Sequence, residues 1–576
     1  MDFQWKVRKP SPQIIENLQQ GLQLSRLLAA LLVNRGLGSK ESASFFLDPR
    51  LRHLRDPFQI PDLEKAASLL WEAIEARRKI VIFGDYDVDG VTATAILVEV
   101  LQCLGAVVSA YLPNRKDEGY GLTQTGLEGC LALTPEVLIA VDCGSNSDDL
   151  ITWMLEIHRI PTIVIDHHQV ITPAKKAAAL VNCLLSSNLD DHVLCSAGLA
   201  FKMAHGLLKK GRVAGNLAAD RVDLKYWLDL VALGTIADHV PLTGENRIFV
   251  SAGLKSLGTS VRPGVVALKE ISERPGEVDC QTVSFQLAPR LNASGRLESA
   301  KASLDLLLSK DCRTAGSLAT ILETQNNERR EIERVTTNEA ISQVRARYGN
   351  SIPAFILEAN PKWHIGVVGI VAARIVSEFK VPAIIAGGDG AFLRGSGRSV
   401  EGCDLVSCLQ ECKDLLHKFG GHAMAAGVTL QPENVNLLQE RLDQLVNSKY
   451  GSRVQPPLHI DLEVLLSEIT FEALVQVERM APHGHGNEPI KLLIKNVYHQ
   501  RPPMRMGKEN QHIKCWVTDG TTTLQAVKWN AKNASIPKVA FDLVATPALN
   551  EFNGSSSVQL TILDWKLPTI LEEIKS

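Results

Sequence analysis

The sequence predicts an α/β protein of several domains: a parallel-sheet domain, a long connecting helix, a second α/β domain and a C-terminal β-barrel. Three observations carry that prediction. Apolar runs at 80–83, 137–141 and 162–165 each end in acids or imidazoles, at crossover-length spacing, as buried parallel strands do. Residues 314–348 include one long, highly charged helical stretch (ETQNNERREIERVTTNEAISQVRARY), read as a solvated connector. Beyond about residue 457 the chain changes to short β-prone segments.

The stretch 79–101 (KIVIFGDYDVDGVTATAILVEVL) organises the rest. A buried strand runs into Gly84, three aspartates at alternate positions (Asp85, Asp87, Asp89) and Gly90, and a helix follows. The acids thus sit past the C-terminal edge of a parallel strand, where open α/β sheets bind ligands. Alternate residues of an extended chain point the same way, so the carboxylates can converge. Converged carboxylates repel unless a cation compensates them. A lone DxD is more often a solvated loop; apolar flanks and bracketing glycines favour a divalent metal site.

Composition bounds the partners. The chain has 576 residues, 45% hydrophobic and 22% charged, an ordinary globular balance with room for several domains. A net charge of −3 excludes a globally basic polyanion binder, so any nucleic-acid surface must be local. Eleven cysteines without a CxxC pair, after a start lacking a signal-peptide pattern, read as reduced cytosolic thiols. The apolar stretch 91–112 approaches the length of a membrane span, but Glu99 interrupts it and Gly105 divides it.

Taken in order, residues 1–77 read as an N-terminal helical segment, with helices at 27–32 (ended by Gly36) and 63–76. The parallel-sheet domain spans 78–313. Its second strand ends in Asp142-Cys143-Gly144 and its third in Asp166-His167-His168. A fourth acidic site, Gly234 to His239 with Asp238, follows an apolar helix at 227–233. One buried Asp or His is usually a satisfied core residue; four such groups, each after a buried element, point to one shared site. Oxygen and imidazole donors suit Mn or Mg. After the helix at 314–348, a second α/β domain (349–450) has strands at 352–357 and 381–386. There Gly395 to Ser399 reads as a flexible turn offering Ser396 and Arg398 to phosphate. Gly420-Gly421-His422 with Ala425 to Gly427 fits either a close backbone approach to phosphate or helix packing at small residues. The last domain (451–576) has β segments at 491–498, 512–517, 522–529, 540–545 and 558–563, with a hairpin signal at Thr518-Asp519-Gly520. Lys514, Trp516, Lys528 and Trp529 within them fit an OB-like barrel that stacks bases; a structural barrel with buried tryptophans fits the pattern equally.

Together, the Asp85 to Gly90 acids, Val141 to Gly144, Asp166-His167-His168 and Gly234 to His239 resemble the DHH phosphoesterase superfamily. The stretches 31–36, 114–122, Ala288 to Arg296 (APRLNASGR), 364–374 and 420–427 extend the resemblance to its single-strand-specific DNA exonucleases. The resemblance implies two divalent cations, Mn or Mg. Asp87 and Asp142 would hold one, Asp89, Asp142, His167 and Asp238 the other, with Asp142 bridging and Asp85 beside them. It implies catalytic roles for Asp142 and for His168 near the scissile phosphate. Tyr120, Arg290, Asn292, Arg296, Ser396, Arg398, Gly421 and His422 would contact substrate, with Arg290, Asn292 and Arg296 in the cleft between domains. It further implies 5′-to-3′ release of 5′-mononucleotides from single-stranded DNA in repair and recombination. The protein would be a cytoplasmic monomer without membrane contact, with a single-strand-binding protein and a helicase as partners. The competing readings are a phosphoesterase of short oligonucleotides or cyclic dinucleotides, which is usually shorter and lacks the barrel, and an inactive scaffold, which loses ligands that stand here. Two departures touch local geometry: Asn146 replaces a small hydroxyl residue, and the turn at 483–487 differs from the usual pattern.

Overall fold

The computed structural model describes residues 3–114, 118, 121–188, 193–272, 278–388, 390–451, 457–531, 534–552 and 555–568. The chain forms two compact units: Arg55–Val240 with Ala252–Pro456, and Met1–Leu54 with Pro241–Ser251 and Pro457–Ser576.

In the first unit, five parallel strands make the catalytic sheet: Lys79–Gly84, Val107–Tyr111, Val137–Val141, Thr162–Ile165 and Ala179–Val181. Numbered along the chain, their spatial order is 2-1-3-4-5. In that order the switch point lies between the first and third strands, so their ends open the ligand crevice. The first strand ends at Gly84 and the third at Val141, one residue short of Asp85 and Asp142 respectively. Ile80 to Phe83 are buried completely, each large side chain contributing about 1.5–3 kcal/mol. The helix Val88–Cys103 is buried nearly all round and packs on the helices Ser196–Val213 and Leu228–Ala237.

The connecting helix is Cys312–Tyr348, about 55 Å long at 1.5 Å per residue. It is not solvated all round as expected. A stripe from Ala315 through Leu322, Asn326, Arg329 and Ala340 to Val344 is buried, because helices from both neighbouring domains pack on that face. The second domain is a five-stranded sheet in the order Lys418–His422, Ala425–Leu430, Leu393–Arg398, Ala383–Gly387, Ile356–Ala359. One expectation is corrected here, and one of two open readings is excluded. Residues Gly395 to Arg398 form an inner strand rather than a flexible turn, hydrogen-bonded on both sides. A Cβ on Gly395 would meet Val428 at 2.8 Å and one on Gly397 would meet Leu405 at 2.6 Å. The glycines therefore admit close packing on one face, while Ser396 and Arg398 alternate onto the other. Residues Gly420 to Gly427 pair as an edge hairpin, not as packed helices.

In the second unit, Leu492–His499 pairs with both Phe541–Phe552 and His512–Thr518, which closes the strands into a barrel. The hairpin at Thr518 to Gly520 joins His512–Thr518 to Thr523–Lys528. The N-terminal segment is corrected on two counts. Gln4–Val7 is a strand, paired in parallel with Pro457–Ile460. Residues 1–77 also do not form one segment: the helix Arg26–Asn34 buries Leu27 to Leu32 in the core it shares with barrel residues such as Leu492, Phe541 and Leu560, whereas Leu63–Glu75 belongs to the catalytic unit. Six consecutive apolar residues leave Arg26–Asn34 no solvent face along Leu27 to Leu32, so it needs a partner surface. No helix among the described residues is long and apolar enough to cross a membrane.

Candidate metal centre

The site is assembled from the ends of four elements. Past the first strand, Asp87 is the N-cap of the helix Val88–Cys103 and accepts a hydrogen bond from the Gly90 amide at 3.1 Å. A Cβ on Gly90 would meet the Asp85 carbonyl at 2.6 Å, so only glycine lets the acidic loop fold onto the helix start. Asp89, in the first turn of that helix, accepts from the Ser196 amide at 2.7 Å and the Ala197 amide at 2.8 Å. It thereby fills the N-terminus of the helix Ser196–Val213, where a carboxylate is favoured. Past the third strand, Asp142 sits at φ 63°, a left-handed conformation that Asp tolerates better than most residues. Its Oδ1 accepts from the Ser196 hydroxyl at 2.8 Å. Asp238 is the C-cap of Leu228–Ala237: Gly234 to Ala237 are the last turn of that helix and not a loop after it, as the sequence suggested.

These elements bring every expected metal ligand together. Ligand atoms of Asp85, Asp87 and Asp142 lie within 4.8 Å of one another; so do those of Asp89, His167 and Asp238, and those of Asp142, His167 and His168. Asp85, Asp89 and Asp142 are buried. His167 Nε2 is the centre of the second set, 3.4 Å from Asp142 Oδ1, 3.4 Å from Asp238 Oδ2 and 3.8 Å from Asp89 Oδ2. It is a buried nitrogen with no hydrogen-bond partner among the described residues, although three carboxylate oxygens surround it. None of these three contacts is a hydrogen bond, and the spacings suit ligands arranged about a cation. The charges agree. Burial and neighbouring acids raise Asp142 well above the carboxylate range, burial raises Asp89, and burial with Asp89 and Asp87 pushes Asp238 up to about 9. Burial lowers His167. A donor set of hard oxygens and one neutral imidazole, short of compensating positive charge, fits Mn or Mg.

His168 is built differently. Its Nδ1 lies 2.7 Å from Asp166 Oδ1, an oxygen that also accepts from the His167 and His168 amides. Burial pulls His168 down, but the hydrogen bond and charge of Asp166 outweigh it and hold the imidazole up to about 9. The side chain is 36% exposed against 14% for His167, so it stands at the open rim. Sequence reasoning gave no role to Asp166, Ser196 or Asn182, whose amide donates to the His168 carbonyl at 2.9 Å. The signal for Ser196 was its place at a helix start, in Cys195-Ser196-Ala197-Gly198. Asn146, the departure from pattern, donates to the Gln169 carbonyl and accepts from the Ile171 and Thr172 amides, fixing the chain beyond the histidine pair.

The expected substrate residues divide. Asn292 Oδ1 accepts from the Val88 amide at 3.1 Å and so supports the acidic loop. Arg296 Nη1 donates to the Gly366 carbonyl at 3.2 Å. Ser396 and Arg398 share a face of the second domain's sheet, Arg398 Nη1 lying 3.1 Å from the Ser396 hydroxyl. His422 is registered with Ala425, and Ala425 with Arg398. Gly421, at φ 140°, leaves no room for a Cβ, which would meet the Ala425 carbonyl at 2.3 Å. Arg290 is held within the domain: its guanidinium pairs with Glu323 of the long helix and donates to the Gln286 and Ile271 carbonyls. Tyr120 lies outside the described residues.

Comparison with known proteins matches the same three parts. Residues 79–235 match the DHH family N-terminal domain, 339–448 the DHHA1 domain and 460–564 the RecJ OB domain. The single-stranded-DNA-specific exonuclease RecJ of Bacillus subtilis is 34% identical over 98% of this chain and 70% of its own length. RecJ of Escherichia coli is 32% identical over 96% of this chain and 97% of its own. The crystal structure of Thermus thermophilus RecJ in complex with Mn2+ superposes with a TM-score of 0.84, at 26% identity, covering 98% of this chain and 80% of that one. With full-length similarity above 30% and all three domains in order, the chain belongs to the RecJ family of DHH proteins.

Proposed function

We propose that the chain is a single-strand-specific 5′-to-3′ DNA exonuclease that releases 5′-mononucleotides by two-metal phosphodiester hydrolysis in repair and recombination. The observation that carries the reading is His167 Nε2, buried and without a hydrogen bond, amid three carboxylate oxygens. When bound, two cations supply an activated water and neutralise charge on the scissile phosphate. Asp142, shared by the ligand sets, holds the two positions at one spacing. Asp166 orients His168 with Nδ1 engaged, which leaves Nε2 as the ring atom that can pass a proton to the leaving 3′ oxygen. Hydrolysis of end-labelled single strands with Mn2+, but not of dinucleotides alone, is the expected result; exclusive activity on dinucleotides would favour a short-oligonucleotide phosphoesterase.

The 5′ preference is supported by the second domain. The 12-residue helix Val368–Phe379 starts with Val367 as its N-cap and no capping side chain. A Cβ on Gly369, in its first turn, would lie 3.0 Å from Ser396 Oγ and 3.4 Å from Arg398 Nη2, and Arg296 reaches Gly366 just ahead of it. Two guanidinium groups, a hydroxyl and an uncapped helix start thus converge, which suits a terminal phosphate. Arg398→Ala is expected to narrow the rate difference between 5′-phosphorylated and 5′-hydroxyl strands while Mn2+ binding is unchanged. A full wild-type preference in the mutant would make Arg398 structural.

Barrel residues supply the hold on longer strands. Arg501 stacks 3.2 Å from the Trp516 ring centroid, Lys514 stands 5.4 Å from it, and Trp529 is half exposed against His512. Trp529→Ala is expected to weaken binding of long single strands by roughly 1–3 kcal/mol and leave cleavage of short ones unchanged. Equal losses on both substrates would make the barrel purely structural. Point substitution is the sound test, because deleting residues after 456 would strip the core from the helix Arg26–Asn34. We further propose that the protein acts as a monomer in the cytoplasm, alongside a single-strand-binding protein and a helicase.

A further inference from the structure

Far from the ligand cluster, the two helices that deliver Asp89 and Asp238 meet again at a buried ionic bridge. Asp89 opens the helix Val88–Cys103 and Glu99 lies 10 residues on; Asp229 opens Leu228–Ala237 and Asp238 caps it 9 residues on. Asp89 and Asp238 share the His167 ligand set, whereas Glu99 and Asp229 both bind Arg262. The helices therefore run antiparallel, with one contact at each end. At 1.5 Å per residue the arms are about 15 and 13.5 Å, nearly equal.

Arg262 is 1% exposed. Its Nη1 donates to Glu99 Oε2 at 2.8 Å and to the Leu307 carbonyl at 3.3 Å; Nε lies 3.4 Å from Asp229 Oδ2 and Nη2 donates to the Tyr226 carbonyl at 3.4 Å. The Tyr226 ring covers it at 4.5 Å. Glu99 is also gripped by Trp227 Nε1 and by Lys310, two residues before the long helix; Asp229 Oδ2 also accepts from Ser260. Two cations balance two anions, and every charge has directional partners. Such a bridge is weak evidence for stability, since apolar replacements often do as well. Its distinctive property is register. The helix Leu228–Ala237 is apolar on every side from Leu230 to Leu233, so packing alone allows it to slide, while a planar fork shared between two carboxylates does not.

We infer that the Arg262 bridge between Glu99 and Asp229 fixes the register of the two helices that carry Asp89 and Asp238, and so sets the spacing of the cation-binding carboxylates. Arg262 is a positioning residue, acting at a distance on a centre whose two-cation reading the inference rests on. Lys310 extends the bridge to the root of the long helix.

The test is Mn2+ binding to the full-length protein, read from the free Mn2+ electron-paramagnetic-resonance signal with manganese chloride as the only probe, beside thermal melting. Arg262→Lys keeps the charge but loses the fork. A triple variant, Arg262→Met with Glu99→Gln and Asp229→Asn, removes the bridge without stranding a charge. The expected result is a weaker second Mn2+, by about ten-fold or more in the triple variant, the scale of lost outer-sphere support, with less loss in Arg262→Lys and melting close to wild type in both. Wild-type Mn2+ affinity in either folded variant overturns the inference. Failure of both to fold overturns it too, by making the bridge a requirement of the fold. Absence of Mn2+ binding in the wild type would instead sink the two-cation reading.

Discussion

Asp142→Asn is expected to leave the chain folded and to abolish hydrolysis, by about a thousandfold or more, equivalent to about 4 kcal/mol of barrier. Asp142 is the residue common to two ligand sets and the nearest carboxylate, with Asp238, to His167 Nε2. Without its charge the two cations repel across a neutral side chain. Asparagine is the variant of choice because it tolerates φ 63°, where alanine would add backbone strain. Removing a carboxylate that its buried neighbours destabilise should also raise the melting temperature in chelator. With saturating Mn2+ the order should reverse, since ligand binding stabilises the protein that binds more tightly. A mutant that keeps a tenth of the wild-type rate, or that melts below wild type in chelator, contradicts the assignment.

Asp166→Asn should produce the second-largest loss, roughly 10²–10⁴-fold with DNA, the range a positioned acid supplies. The carboxylate orients His168 through Nδ1, accepts two backbone amides through the same oxygen, and accepts from the Ser145 amide through the other. An amide can keep some of those hydrogen bonds but not the charge that favours imidazolium. The discriminating measurement uses a thymidine 5′-phosphodiester whose leaving group is p-nitrophenolate, which departs without a proton. The deficit should shrink strongly on that substrate. An equal deficit on both would mean that Asp166 only braces the loop.

The sequence made the ligand set legible because each ligand ends a buried, strongly patterned element; Asp85, Asp142 and Asp238 could be placed from apolar runs alone. Roles carried by hydrogen bonds between distant segments were not legible. Nothing local distinguishes Arg290, which pairs with Glu323, from Arg296, six residues on, which reaches Gly366. Ser196 supports both Asp89 and Asp142 across more than fifty residues, with only a helix start to mark it. The Gly395 to Arg398 strand was misread because glycine usually signals a turn, whereas here its missing side chain makes room for Val428 and Leu405. The division of the N-terminal segment was hidden for a related reason: an all-apolar helix declares that it needs a partner, not which one.

That helix has a consequence for how the protein is made. Residues up to Leu54 leave the ribosome first, yet the strand that pairs with Gln4–Val7 and the barrel that covers Leu27 to Leu32 come after residue 456. At elongation rates of about 5–20 residues per second, the intervening roughly 400 residues take on the order of 20–80 s. Through that interval the unit made in between can fold while the helix Arg26–Asn34 waits with six apolar side chains uncovered. Nascent chains halted before residue 457 should therefore be held by chaperones through their first 54 residues, and release should follow completion of the barrel.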